Sequence, residues 1–308
     1  MSNPILQTFA LTKSYKGFKA LDGVSMCVNQ GDIYGFVGEN GAGKTTLIRV
    51  VAGLTMGTEG EYALFGVSCK DPGLSTAKKG LSAIVESVAV NRGLTALENL
   101  KMQCLIAKIS KTDGELNDLL TRVGLDPVAL AKKTVGGFSL GMRQRLGLAI
   151  ALVSDPKLIL LDEPMNGLDP QGFVDMRETI LALNKQGVSF LISSHILSEL
   201  DKMCTRVGFL SHGKLLQEIT MEELRDKARK KIVLRAKDPE DLKARLAKHF
   251  DIKDAKIEGD SLTLYDPLDI NEVIAALAKD KILVEGIYAG EETIEDYYRQ
   301  IMTGEVRS

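Results

Sequence analysis

The first part of the chain alternates short apolar runs with glycine-containing turns. Residues 4–38 contain three such runs, ILQTFALT, KALDGVSMCV and GDIYGFVG, each with the pattern of a β-strand. The third run is apolar throughout and ends at a glycine, and a helical pattern then extends from Lys44 to Ala52. The order of these patterns predicts a buried strand, a sharp turn and a helix.

The middle of the chain continues this alternation. Residues 95–130 are helix-rich, and Thr95 followed by Glu98 is a capping-box signature. Two apolar strands, KLILLDEP and VSFLISS, flank the helical segment LDPQGFVDMRETILALNKQG, in which Asp169 is predicted as the N-cap and Pro170 lies in the first turn. Strands that alternate with helices predict a mostly parallel sheet that is covered on both faces.

The pattern changes after about Met221. RDKARKK has the composition of an exposed, charged helical link, and the glycine-rich motifs stop there. Strands are predicted at KIVLRA, DIKDAKIEG, SLTLYD and KILVEGIYAG, and helices at 238–249, 270–280 and 291–303. We therefore expect a large α/β domain over residues 1–220 and a small α+β domain over residues 221–308.

Composition and charge narrow the classes of function. The 39 basic and 41 acidic residues give a net charge of −2, so no basic surplus indicates a nucleic-acid partner. The four cysteines lack C-x-x-C spacing, which argues against a zinc site or a disulfide framework. No apolar run approaches the roughly 20 residues that span a bilayer, and the N-terminus lacks the apolar core of a signal peptide. We expect a soluble, cytosolic chain that reaches a membrane through a partner.

The turn after the third strand has the composition of a phosphate-binding loop, because residues 38–45 match G-x-x-x-x-G-K-[ST]. Glycines let backbone N–H groups point at phosphate oxygens, and the helix start adds its positive dipole end. Lys44 is predicted to act on the β- and γ-phosphates, and the Thr45 hydroxyl to ligate Mg²⁺. The predicted nucleotide contacts are Gly38, Glu39, Asn40, Gly41, Ala42, Gly43, Lys44, Thr45 and Thr46. The strand–turn–helix order disfavours the alternative, a glycine-rich turn without a ligand.

Two carboxylates end the apolar strand LILLDEP. A parallel sheet would present Asp162 and Glu163 at its carboxyl edge, where ligands bind in such folds. Asp162 is predicted to hold Mg²⁺ through its hydration shell, and Glu163 to orient and deprotonate an attacking water. The alternative, two carboxylates that only cap a strand, is disfavoured beside a phosphate loop.

A third feature is the segment FSLGMRQRLGLAIAL at residues 138–152, where Ser139 is the predicted N-cap of a helix. A hydroxyl, a glycine backbone and a helix N-terminus together form another anion site. Because the phosphate loop already encloses one face of the phosphates, we expect this second site to act on a nucleotide held by another copy of the chain.

The ordered set GENGAGKTT, FSLGMRQR, LILLDEPMNGLDP and LISSH resembles the ATP-binding subunit of ABC transporters over residues 4 to about 220. The resemblance implies a P-loop NTPase with a RecA-like core, an antiparallel β subdomain and a helical subdomain, followed here by the C-terminal α+β appendage. It also implies ATP and Mg²⁺ as ligands, ATP hydrolysis, and a head-to-tail homodimer that closes on ATP. Separate polytopic membrane permease subunits are implied as partners, which would place the chain at the inner face of the cell membrane.

The resemblance gives roles to further residues. Tyr15 matches the aromatic residue that stacks on adenine. Ser139 and Gly141 match the signature serine and glycine that contact the γ-phosphate across the dimer. Asp169 matches the aspartate that links the two halves, and His195 matches the histidine that contacts the γ-phosphate and supports the attacking water.

The chain departs from the family pattern in two places. The signature reads Ser-Leu-Gly-Met from Ser139, where the family normally has Ser-Gly-Gly-Gln, so the serine and the second glycine are kept. Glu86 stands where most of the family has a glutamine near Mg²⁺, and a carboxylate is the stronger ligand for a hard cation. We therefore predict Glu86 as a metal ligand, with a solvated loop glutamate as the alternative.

Residues 83–100, AIVESVAVNRGLTALENL, together with FSLGMRQR, resemble the branch that exports lantibiotics and bacitracin-like peptides and confers self-immunity. Peptide-antibiotic or multidrug export is therefore expected, with other export (lipids, polysaccharide) as the alternative substrate class.

An alternative of a different kind is a soluble ABC ATPase that acts on ribosomes or DNA. The single phosphate loop, the lack of a heptad run and the balanced charge disfavour it. A nucleotide kinase or GTPase would leave SLGMRQR without a role.

Overall fold

The computed structural model describes residues 3–303. Contacts within the chain divide it into two compact units, one ending at Met221 and one beginning at Glu222. Each unit buries an apolar core of its own. No helix among the described residues is long and apolar enough to cross a membrane.

The first unit contains ten strands and seven helices among its described residues. Its strands are β1 Pro4–Tyr15, β2 Phe18–Asn29, β3 Ile33–Val37, β4 Glu59–Leu64, β5 Val67–Ser68, β6 Leu81–Ile84, β7 Leu158–Asp162, β8 Ser189–Ser194, β9 Arg206–Ser211 and β10 Lys214–Thr220. Its helices are α1 Lys44–Ala52, α2 Leu74–Ala77, α3 Ala96–Ala107, α4 Asp113–Arg122, α5 Leu140–Leu152, α6 Pro170–Lys185 and α7 Leu197–Asp201. The three predicted N-terminal strands and the helix over residues 44–52 are confirmed.

The strands of the first unit form two sheets. One is antiparallel, in the order β2-β1-β4-β5. The other has the order β10-β9-β3-β8-β7-β6, and its neighbouring strands are parallel except for β9 and β10. Every residue of β3, β7 and β8 is buried, as parallel strands covered on both faces require. The predicted mostly parallel, covered sheet is confirmed.

An apolar core joins the two sheets through α1. Leu6 and Leu21 of the antiparallel sheet, Leu47 and Ile48 of α1, and Leu160 of β7 are fully buried in this core. Each such side chain stabilises the fold by about 1.5–3 kcal/mol. Because α1 also contacts β6 and β7, its first turn is held at the edge of the sheet where β7 ends.

The helical region between β6 and β7 contains the predicted capping box. The Thr95 hydroxyl accepts from the Glu98 N–H at 3.3 Å, and the Thr95 N–H donates to Glu98 Oε2 at 2.8 Å. These hydrogen bonds lower the pKa of the Glu98 carboxyl, because they favour its charged form. Thr112 and Glu115 repeat the arrangement at the start of α4.

The second unit is a four-stranded antiparallel sheet with helices. Its strands are β11 Lys230–Arg235, β12 Ala255–Glu258, β13 Ser261–Leu264 and β14 Gly286–Glu291, in the order β12-β13-β11-β14. The helices of this part of the chain are α8 Met221–Lys227, α9 Pro239–Leu246, α10 Ile270–Lys279 and α11 Ile294–Thr303. The predicted helical link RDKARKK is wrong beyond Lys227, because Lys230 and Lys231 pair with β14 as the first residues of β11.

Candidate nucleotide-binding site

The residues predicted to bind and hydrolyse the nucleotide follow neighbouring strands at one edge of the central sheet. β6, β7, β8 and β3 are adjacent and parallel, so their carboxyl ends lie side by side. Glu86, Glu163, His195 and Gly38 lie just beyond these four ends. Ligands of open α/β sheets bind at this edge, so the topology brings together groups that are far apart in the sequence.

The phosphate loop has the backbone shape that its glycines allow. Gly41 and Gly43 have φ angles of 83° and 112°, which residues with side chains rarely adopt. A Cβ at Gly43 would lie 2.3 Å from the Ala20 carbonyl oxygen, so close packing also requires glycine there. No side chain caps α1, which begins at Lys44. Its first N–H groups are therefore available to an anion.

The Lys44 ammonium lies inside this loop, and the residue as a whole is 5% exposed. Its Nζ donates to the carbonyl oxygens of Gly38 at 2.6 Å and Glu39 at 3.1 Å. It also lies 3.3 Å from Glu163 Oε1. The loop thus holds one positive charge beside both the phosphate position and the predicted catalytic carboxylate, where charge-assisted contacts to phosphate oxygens are strong.

Asp162 is held by two hydroxyl groups at the end of β7. The Thr45 hydroxyl donates to Asp162 Oδ2 at 2.9 Å, and the Ser193 hydroxyl donates to Oδ1 at 2.6 Å. The Ser193 hydroxyl also accepts from the Glu163 N–H at 3.0 Å. Ser193 is fully buried, so a single hydroxyl fixes the position of both acidic residues.

His195 lies against Glu163. Its Nδ1 is 2.8 Å from Glu163 Oε2, while the other carboxylate oxygen faces Lys44. Glu163 has a φ of 48°, an uncommon value for a residue with a side chain, which is often associated with functional sites. In the structure, two of the three predicted catalytic side chains, Lys44 and His195, therefore contact the third, Glu163.

The hairpin between β1 and β2 places two aromatic rings at the phosphate loop. Tyr15 and Phe18 are cross-strand partners on either side of a two-residue turn, Lys16 and Gly17, whose φ angles of 41° and 89° suit a tight hairpin. Tyr15, Phe18 and Lys44 line one cavity of about 330 Å³. Sequence reasoning missed Phe18, although two aromatic residues around a turn that ends in glycine are a usable signal.

Sequence comparisons identify the family. A sequence profile described as ABC transporter matches residues 21–166. The bacitracin transport ATP-binding protein BcrA of Bacillus licheniformis is 39% identical over 97% of this chain and 98% of its own length. The chain belongs to the ATP-binding proteins of ABC transporters. The lantibiotic transport ATP-binding protein SrtF of Streptococcus pyogenes is 38% identical over 68% of this chain and 87% of its own length.

Solved structures agree with this assignment. The ADP conformation of MJ1267, an ATP-binding cassette of an ABC transporter, matches with a TM-score of 0.64 and 28% identity. The match covers 72% of this chain and 94% of that one. The predicted P-loop NTPase fold, ATP binding and ATPase activity are thereby confirmed. The chain is an ATP-binding transporter subunit rather than a soluble ATPase that acts on ribosomes or DNA.

Three predicted nucleotide contacts of this ABC ATPase lie at helix starts. Ser139 caps α5 and accepts from the Met142 N–H at 3.2 Å, and Asp169 caps α6. Gly141 has room for a side chain, since an added Cβ would make only an ordinary van der Waals contact with Leu168, at 3.7 Å. Among the described residues, none of the three lines the cavity of Tyr15 and Lys44. Their predicted contact with a nucleotide of another copy stays a prediction.

The predicted metal ligands line a second cavity, of about 500 Å³. Thr45, Glu86 and Asp162 all contribute to it, together with the predicted catalytic residue Glu163. Thr45 and Asp162 are in contact, but the Glu86 carboxylate lies 2.5 Å from Nη2 of Arg49. In the part of the chain that the structure describes, no three Asp, Glu, His or Cys side chains are grouped closely enough to hold a metal ion. Glu86 therefore lines the same cavity as Thr45 and Asp162 while it is paired with Arg49, and its role as a metal ligand stays a prediction.

Ser193→Ala is expected to slow ATP hydrolysis about tenfold, since it removes hydrogen bonds to both acidic residues worth roughly 0.5–1.5 kcal/mol each. ATP binding should change little, because Ser193 lies behind the two acidic residues that would face the nucleotide. Steady-state phosphate release and equilibrium ATP binding test this. Ser194→Ala is the matched control, since that buried hydroxyl accepts only from the Ile196 N–H among the described hydrogen bonds. Equal losses in the two variants would contradict a specific role for Ser193.

Proposed function

We propose that this chain is the ATPase subunit of an exporter of peptide antibiotics, of the bacitracin or lantibiotic kind, and that it contributes to self-immunity. The observation that supports this substrate class is the similarity to the bacitracin transport protein, which runs through both units of the chain. Separate polytopic permease subunits form the membrane path, and through them the chain acts at the inner face of the cell membrane.

ATP drives this transporter by closing a head-to-tail homodimer. ATP on Lys44 and Thr45 of one copy is covered by Ser139 and Gly141 of the other, whose exposed helix start suits the γ-phosphate. Hydrolysis removes the bridging charge and lets the dimer open. A phosphate-dependent change between two states is a common way for nucleotides to move a partner protein.

The side chains divide the hydrolytic step between them. Glu163 orients a water and accepts its proton as the water oxygen attacks the γ-phosphorus, and the bond to the bridging oxygen of ADP breaks. His195 supports Glu163 and the γ-phosphate, and Lys44 offsets the negative charge. The hydroxyl of Thr45 and the carboxylate of Asp162 are hard oxygen donors that would suit Mg²⁺. When bound, Mg²⁺ neutralises charge on the β- and γ-phosphate oxygens.

The proposal is tested by identifying the partners of tagged Glu163→Gln, isolated with Mg-ATP from gently solubilised cells of its source. A polytopic membrane protein at near-stoichiometric yield is the expected result, and mass spectrometry identifies it. Ribosomal proteins or DNA-bound partners without a membrane chain would overturn the transporter assignment.

A deletion strain then tests the substrate class. It should become more sensitive to bacitracin or to a lantibiotic, and the wild-type gene should restore resistance where the Glu163→Gln gene does not. Unchanged sensitivity to both peptide classes would overturn the peptide-antibiotic assignment.

A further inference from the structure

The loop that follows β6 holds Glu86 in an unusual backbone conformation. Glu86 has a φ of 62°, in the left-handed region that few residues with side chains adopt. Its carboxylate lines the cavity of Thr45 and Asp162 but is paired with the guanidinium of Arg49. Such a conformation persists where the surroundings fix it, and it is frequent at functional sites.

Arg49 and Thr45 lie on the same face of α1. They are four residues apart, and side chains at this spacing are neighbours on a helix surface. Arg49 therefore extends from the face of α1 that carries the Thr45 hydroxyl, and the Glu86 carboxylate that it holds lines the same cavity as that hydroxyl, which is expected to bind Mg²⁺.

We propose that Arg49 is a positioning residue that competes with Mg²⁺ at Thr45 for the Glu86 carboxylate. With the ion pair formed, Glu86 is withheld from the metal position. When Mg-ATP binds, the carboxylate leaves Arg49 and moves toward Thr45, and the loop after β6 shifts with it. The proposal rests on the proposed function, because that function supplies Mg-ATP at Thr45.

The exposure of the pair makes this exchange feasible. The Arg49 and Glu86 side chains are 40% and 63% exposed, and ion pairs of this kind shift an equilibrium by no more than about fivefold. The pair is therefore strong enough to bias Glu86 and weak enough to yield to a divalent cation.

The two arginines that line this cavity, Arg92 and Arg143, do not take the place of Arg49. Arg143 donates to the Phe138 carbonyl oxygen, and no described ion pair joins Arg92 to Glu86. The remaining charged groups of the cavity, Asp162 and Glu163, repel Glu86.

The experiment is a double-mutant cycle in the Glu163→Gln protein, in which hydrolysis does not interfere. Binding of a fluorescent ATP analogue is titrated with Mg²⁺ for the parent, Arg49→Gln, Glu86→Gln and the double variant. We expect Arg49→Gln to lower the half-saturating Mg²⁺ concentration two- to fivefold, because the carboxylate is released. The same substitution should have no effect once Glu86 is glutamine, since no carboxylate remains to compete for.

Lys101→Gln is the matched control, because Lys101 forms a similarly exposed ion pair with Asp113 in the helical region. It should leave the Mg²⁺ titration unchanged. An unchanged or raised Mg²⁺ requirement in Arg49→Gln would overturn the proposal, and so would an equal shift in both Glu86 backgrounds. Failure of the proposed function looks different: no permease is then recovered with the protein, while the coupling between Arg49 and Glu86 is still measured.

Discussion

Glu163→Gln is expected to lower ATP hydrolysis by about 10²–10⁴-fold, the usual contribution of a positioned general base. The amide keeps the shape of the side chain and can still contact His195, but it cannot accept the proton of the attacking water. ATP binding should remain close to wild type, because the contacts of Lys44 with Gly38 and Glu39 do not involve Glu163. Phosphate release and equilibrium nucleotide binding, measured on the same preparation, test both parts.

The same substitution tests the shared site between two copies. If ATP on one copy is covered by Ser139 and Gly141 of another, a protein that binds ATP without hydrolysing it should accumulate as a dimer. Light scattering after size exclusion in Mg-ATP measures this. Glu178→Gln, on the exposed face of α6, serves as the control and should hydrolyse ATP normally. A Glu163→Gln protein that stays monomeric at saturating Mg-ATP would contradict the shared site, and retained hydrolysis would contradict the role of Glu163.

The parts of the site that the sequence predicts are those with local causes. The turn from β3 to α1 must have glycines where φ is positive and where Ala20 approaches, so its composition reports its shape. The starts of capped helices are also local, because an N-cap side chain accepts from the backbone N–H only three residues later. The glycine turn therefore predicts the start of α1 at Lys44, and the N-cap residues predict the capping box at Thr95 and the cap at Asp169.

The parts that the sequence does not predict depend on which strands are neighbours. Ser193 is recognisable as a positioning residue only when β7 and β8 are adjacent, since 31 residues separate it from Asp162. Arg49 is likewise an ordinary helix residue until β6 places Glu86 beside it. The length of the helical link is also decided at a distance, because pairing with β14 draws Lys230 and Lys231 into a strand. Local pattern carries no information on such pairings.

Lys44→Ala is expected to weaken ATP binding by about 10- to 100-fold, since a charge-assisted hydrogen bond contributes about 1.5–3 kcal/mol and 1.4 kcal/mol corresponds to a factor of ten. Hydrolysis should fall further than binding, because Lys44 also contacts Glu163. Lys44→Arg should not rescue either property: the ammonium is buried between two carbonyl oxygens, and a planar guanidinium does not fit that position.

Equilibrium binding of ATP and single-turnover hydrolysis separate the two effects of Lys44→Ala. Lys19→Ala is the control. Lys19 is an exposed residue of β2 that pairs with Asp22 of the same strand, so its substitution removes the same charge from a side chain that does not reach the loop. Wild-type affinity in Lys44→Ala would mean that the phosphates bind elsewhere. Because Glu163→Gln is expected to spare binding and Lys44→Ala to weaken it, the two variants together distinguish the group that holds the phosphates from the group that activates the water.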